Sequence, residues 1–120
     1  MFNRLDTVIM RVRDLAAAQS WYATHLGLST VFEDAEQGLA VLGLDGETSL
    51  TLWATPEGEP VTPSSTFPIF SVADARAAHA RLVSSGAAVE PLVEGSGVRY
   101  FRVRDHDGNP IEACEVLATS

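Results

Sequence analysis

Glu112 is the carboxylate placed to do chemistry. It lies in the alternating run Pro110–Val116, where successive side chains point to opposite faces, so Glu112, Cys114 and Val116 share one side and Ile111 and Ala113 the other. In apolar surroundings such a carboxylate can serve as general acid or base, or accept a hydrogen bond from a ligand. The plainer alternative is an ion pair with Arg11 or Arg102. Trp53 offers a flat indole for stacking on an aromatic or cationic ligand, or else a structural plug. Arg102 and Arg104 share a face of another alternating stretch; turned inward, Arg102 would bind a carboxylate or phosphate, and turned outward it would solvate the sheet.

Other residue types give less. Ser49, Thr51 and Ser71 have no base beside them in a hydrolase-like arrangement. Cys114, next to an acidic residue, lacks the electropositive setting of a nucleophile and is expected to line a pocket. His25, His79 and His106 lack the spacing of a metal pair; His79 falls on a helical apolar stripe and His106 in a turn. All eight basic residues are arginine, which excludes Schiff-base lysine chemistry. Sixteen acidic residues give a net charge of -8, a field that repels nucleic acid and anionic membranes. There is no apolar run of about eighteen residues and only one cysteine, so the expectation is a soluble cytoplasmic protein.

The elements that must position these residues are written twice. Leu5–Val12 alternates as a strand and runs into Asp14, a helix N-cap before Leu15, Ala18, Tyr22 and Leu26, with Gly27 as the stop. Phe67–Val72, Asp74, the stripe Ala75, Ala78, His79 and Leu82, and Gly86 repeat that order, and the turn Asp45-Gly46 recurs as Asp107-Gly108. Three strand-like stretches follow each helix: Leu28–Phe32, Leu39–Leu44 and Ser49–Ala54, then Ala88–Val93, Val98–Arg104 and Pro110–Val116. Residues 55–66 are rich in proline, glycine and serine and read as a connector. The expected fold is therefore α+β: two βαβββ modules, about 5–54 and 67–117, in a single domain over residues 1–120, forming a curved mixed sheet around a cavity. Alternation places Val8, Met10, Val12, Leu50, Leu52, Phe70, Val72, Ile111 and Ala113 on the helix side. It places Thr7, Ile9, Arg11, Ser49, Thr51, Trp53, Phe67, Ile69, Ser71, Glu112, Cys114 and Val116 on the cavity side. Trp21 and Tyr22 sit at core spacing on the first helix.

The run Arg11-Val12-Arg13-Asp14-Leu15 with Trp21-Tyr22 and Leu26-Gly27-Leu28 resembles the opening of the vicinal-oxygen-chelate superfamily of glyoxalases, bleomycin-resistance proteins and extradiol dioxygenases. Arg104-Asp105-His106-Asp107-Gly108-Asn109-Pro110-Ile111-Glu112 resembles its closing motif. That superfamily's enzymes draw metal ligands from the first and last strand of each module. The resemblance assigns those positions to Thr7, Thr51, Phe67 and Glu112, of which Glu112 alone ligates a divalent metal well. It thus implies the non-metal branch, with no metal and no cofactor. The expected function is binding of a small hydrophobic, aromatic or cationic molecule such as an antibiotic, by a homodimer, through Thr7, Ile9, Thr51, Trp53, Phe67, Ile69, Arg102 and Cys114. The alternatives are a lyase, isomerase or other enzyme using Glu112 as acid or base, with or without an atypically held metal, and an accessory domain that binds another protein.

Overall fold

A computed structural model describes residues 1–117. The chain divides into two compact units, Met1–Pro63 and Ser64–Ser120, and the division falls inside the expected connector. In the first unit β1 (Thr7–Val12) leads to α1 (Leu15–Trp21), then β2 (Thr30–Asp34), β3 (Leu39–Gly43) and β4 (Ser49–Ala54). The sheet order is β1-β4-β3-β2, with β1 parallel to β4 and the other pairs antiparallel. A parallel pair needs a crossover, and α1 supplies it. Asp14 begins the helix as expected, accepting from the backbone N–H of Ala17 at 3.0 Å.

The helix does not run as a plain α-helix to its stop: Tyr22–Leu26 form a π-helical turn closed by Gly27 at φ 69°. A left-handed residue there costs glycine little. Met10, Val12, Ala18, Tyr22, Ala40, Leu42, Leu50 and Leu52 are buried, so of the side chains assigned to the helix side of β1 and β4 all but the half-buried Val8 form the core with the helix above them. β2 starts later than expected, with a register shift between Thr30 and Phe32. Gly43 leaves room opposite it for Val31, since a Cβ there would lie 2.9 Å from Val31 Cγ1 and push that side chain aside.

The second unit repeats the order with β5 (Ile69–Ser71), α2 (Ala75–Ser84), β6 (Ala88–Val89), β7 (Val93–Glu94), β8 (Val98–Arg104) and β9 (Pro110–Val116). Its sheet runs β5-β9-β8-β6, with β7 also on β8 and β5 parallel to β9. Each unit therefore has its own mixed sheet, and the expected single stretch Ala88–Val93 is two short strands. Pro91 explains the break, since proline has no N–H to donate to a ladder. Pro68 likewise keeps β5 short, although its carbonyl still accepts from the Glu112 N–H at 3.0 Å. Asp74 caps α2 through the Ala77 N–H at 3.0 Å. Ala75, Leu82, Phe101, Val103, Ile111 and Ala113 make this unit's core. No helix among the described residues is long and apolar enough to cross a membrane.

Candidate functional site

Each sheet has one face on its helix and one open face, and the candidate residues lie on the open faces. In the first unit the ladder aligns Ile9, Thr51, Val41 and Phe32 in one row across β1, β4, β3 and β2, and Arg11, Trp53, Leu39 and Asp34 in the next. Thr7 and Thr51 meet on this face, their hydroxyl oxygens 2.8 Å apart, and Thr7 also donates to the Ser49 carbonyl at 3.1 Å. Trp53 is held by its Nε1–H, which donates to the Gln37 carbonyl at 3.0 Å. The Arg11 guanidinium lies over the indole, 5.1 Å from the ring centroid. Trp53 is thus fixed, and its ring already has a cation against it.

In the second unit the register sets Ile69, Glu112 and Arg102 in one row and Ser71, Cys114, Tyr100 and Val93 in the next. Arg102 faces the open side, the orientation that sequence left undecided. Its Nη2 donates to Glu112 Oε2 at 3.1 Å, and its guanidinium sits 4.4 Å from the centroid of the Phe67 ring. Of the two arginines considered for Glu112, Arg102 makes the pair. Arg104 points to the turn instead, donating to the Gly108 carbonyl at 3.2 Å, with Glu90 at 3.8 Å.

The side chains at the positions that the resemblance assigns to metal ligands do not fit that metal. Thr7 and Thr51 are neutral hydroxyls bonded to each other, Phe67 has no donor atom, and Glu112 is engaged by a cation. Among the described residues, Asp105, His106 and Asp107 bring three potential ligand atoms within 4.8 Å of one another. Asp105, however, is committed to the β8–β9 turn. Its carboxylate accepts from the N–H groups of Asp107 and Asn109 and from Asn109 Nδ2, each at 2.9 Å. That turn explains the closing motif as structure rather than chemistry.

The remaining residues keep their structural readings. His79 bonds the Glu90 carbonyl through Nε2 at 2.9 Å and sets its ring edge-on to Phe101. Tyr22 is wholly buried, with Trp21 edge-packed on it at 4.9 Å. Sequence reasoning missed two features. One is a depression of about 490 Å³ lined by Arg13, Thr55, Pro56, Glu57, Gly58 and Glu59, which none of the candidate site residues reaches. The other is a charged cluster on the helix side, where Glu94 receives Arg76 Nε at 2.9 Å and has Arg99 Nε at 3.3 Å. Glu115 caps α2 beside it by accepting from the Ala75 N–H at 3.0 Å. The alternation of β8 and β9 carried a signal for the second, since Arg99 and Glu115 fall on the face opposite Arg102 and Glu112.

Solved structures share this fold at low identity. A glyoxalase family protein from Bacillus anthracis superposes with a TM-score of 0.82 at 19% identity, covering 97% of each chain. TnmS3, an antibiotic binding protein from Streptomyces sp. CB03234, gives 0.81 at 23% identity over 96% of this chain and 97% of its own. A glyoxylase/bleomycin resistance protein/dioxygenase domain from Frankia sp. EAN1pec gives 0.78 at 23%, covering 97% and 99%. No curated protein matches the chain by sequence. The family model that matches residues 4–113 takes in both units and both of the motifs described above, and the chain belongs to the Glyoxalase/Bleomycin resistance protein/Dioxygenase superfamily.

Proposed function

We propose that this chain is a metal-free member of the superfamily that binds a small hydrophobic or aromatic molecule, such as an antibiotic, with its two units acting as one domain. The observation that carries the reading is the replacement of metal donors by a hydroxyl pair, Thr7 with Thr51, and by an aromatic ring and an ion pair, Phe67 with Arg102 and Glu112. The open faces also carry apolar side chains, Ile9, Leu39, Val41 and Phe32 in one unit and Ile69 and Val116 in the other. Such surfaces suit a flat, poorly hydrated ligand. Arg11 and Arg102 already lie against the two candidate rings, which favours a neutral or oxygen-rich aromatic ligand over a cationic one. The antibiotic-binding Streptomyces neighbour supports the reading at the level of shared fold. Glu112, spent on orienting Arg102, supports an acid or base role less well.

Ile9 is 47% exposed, Phe32 58%, Ile69 60% and Val116 78%, and apolar surface of this kind supports a homodimer. Light scattering on the purified protein tests that state. For the ligand, Trp21→Phe leaves Trp53 as the sole tryptophan, and its fluorescence is titrated with a panel of aromatic antibiotics. Saturable quenching by at least one compound is expected; no saturable response across the panel overturns the reading. Dialysis against zinc or ferrous ion is expected to leave no stoichiometric metal. A retained ion lost in Glu112→Gln would restore the metal-enzyme alternative.

A further inference from the structure

We propose that Arg102 is the specificity residue of the second unit's open face, selecting planar aromatic ligands that carry an anionic oxygen such as a carboxylate, sulfonate or phenolate. The inference rests on the binding reading above and names the ligand class for it. A guanidinium has five N–H donors in a planar fork. Among the described residues, the side-chain contacts of Arg102 are one bond from Nη2 to Glu112 Oε2 and the Phe67 ring beneath it. These contacts fix the group along one edge and on one face. The side chain is still 32% exposed, and none of its remaining donors is buried without a partner, so they stay within reach of solvent and of a ligand.

The neighbouring groups fit the same ligand. Ile69, in the same ladder row as Glu112 and Arg102, supplies exposed apolar surface next to the ion pair. The ligand's ring would lie on this surface while its oxygen meets the free edge of the fork. Glu112 neutralises much of the charge of Arg102, so the selectivity comes from oriented N–H donors rather than from net charge. The chain's net charge of -8 repels anions, and a preference for an anionic ligand would therefore be local in origin.

The test compares two fluorescent probes with one skeleton, 8-anilinonaphthalene-1-sulfonate and the uncharged N-phenyl-1-naphthylamine, titrated into the full chain and into variants that unfold cooperatively. The sulfonate is expected to bind roughly tenfold more tightly than the neutral probe, the scale of a charge-assisted hydrogen bond at a part-exposed site. Arg102→Gln should abolish that preference, bringing the ratio of the two affinities to about one whatever the change in the neutral probe's own affinity. Arg102→Lys, which keeps the charge and loses the fork, should retain part of it. Glu112→Gln frees the engaged donor and should tighten sulfonate binding further. Equal affinities for the two probes in the unaltered protein, or a preference that survives Arg102→Gln, overturn the inference and leave the binding reading standing. No saturable binding of either probe overturns both.

Discussion

Whether Glu112 is free for chemistry depends on the strength of its pair with Arg102, and a double-mutant cycle measures it. The perturbations are Arg102→Met, Glu112→Met and both together, because methionine keeps much of the volume and removes the charge. Two unit charges about 4 Å apart attract by about 4 kcal/mol at an effective dielectric near 20. Exposure of 32% for the Arg102 side chain and 13% for that of Glu112 places the pair near the surface, where screening and side-chain entropy reduce such pairs to about 1 kcal/mol. Stacking of Arg102 on Phe67 adds about 0.5–1 kcal/mol that only the arginine variants lose. Arg102→Met should then cost about 2 kcal/mol and Glu112→Met about 1 kcal/mol. The double variant should cost about 2 kcal/mol rather than 3, a coupling of about 1 kcal/mol. In a chain of this size each kcal/mol moves Tm by roughly 4 °C, so urea unfolding and thermal scans both resolve the difference. The coupling should shrink in molar salt. A coupling below about 0.3 kcal/mol, within ordinary additivity error, would refute the pairing and leave Glu112 available as an acid, base or ligand.

Three further outcomes follow from the same contacts. Asp105→Ala removes three hydrogen bonds from a buried carboxylate and should destabilise the protein by roughly 3 kcal/mol in chemical denaturation, whatever its effect on binding. Asp74→Ala removes the cap of α2 and should cost about 1 kcal/mol, measured the same way. The hydrogen bond from Arg76, followed by the charges of Arg76 and Arg99, outweighs desolvation and holds the Glu94 carboxyl below its ordinary value of 4.5. A depressed folded-state value contributes stability above pH 4.5 that is lost as the pH falls through the lower folded value. The stability gap between the unaltered protein and Glu94→Gln should therefore be steady near neutrality and close on acidification below 4.5. A gap that widens in acid would contradict this.

The sequence by itself determined the elements that follow from short-range rules. Asp14 and Asp74 stood where side chains cap helices, Gly27 and Gly86 where a helix must end in the left-handed region, and both prolonged alternations at the C-terminus became β8 and β9 with the expected bounds. Alternation also put Thr7, Ile9, Thr51, Trp53, Ile69, Glu112 and Cys114 on the face away from the helix, because a period of two leaves no other choice. Where a local rule is weak the elements differed. Nothing in Tyr22–Leu26 distinguishes a π turn from an α turn, and Pro68 and Pro91 shortened strands that apolar content alone would have extended.

Pairings across the ladder belong to the tertiary structure. Arg102 could meet solvent, a ligand or Glu112, and only the antiparallel register of β8 with β9 set it beside that carboxylate and over Phe67. The same holds for Thr7 with Thr51 and Arg11 with Trp53, residues more than forty positions apart that the parallel pairing of β1 and β4 brings into contact. Which residue types stand on the open faces is a property of spacing; which of them neutralise each other is a property of register, since spacing along one strand carries no information about its neighbour.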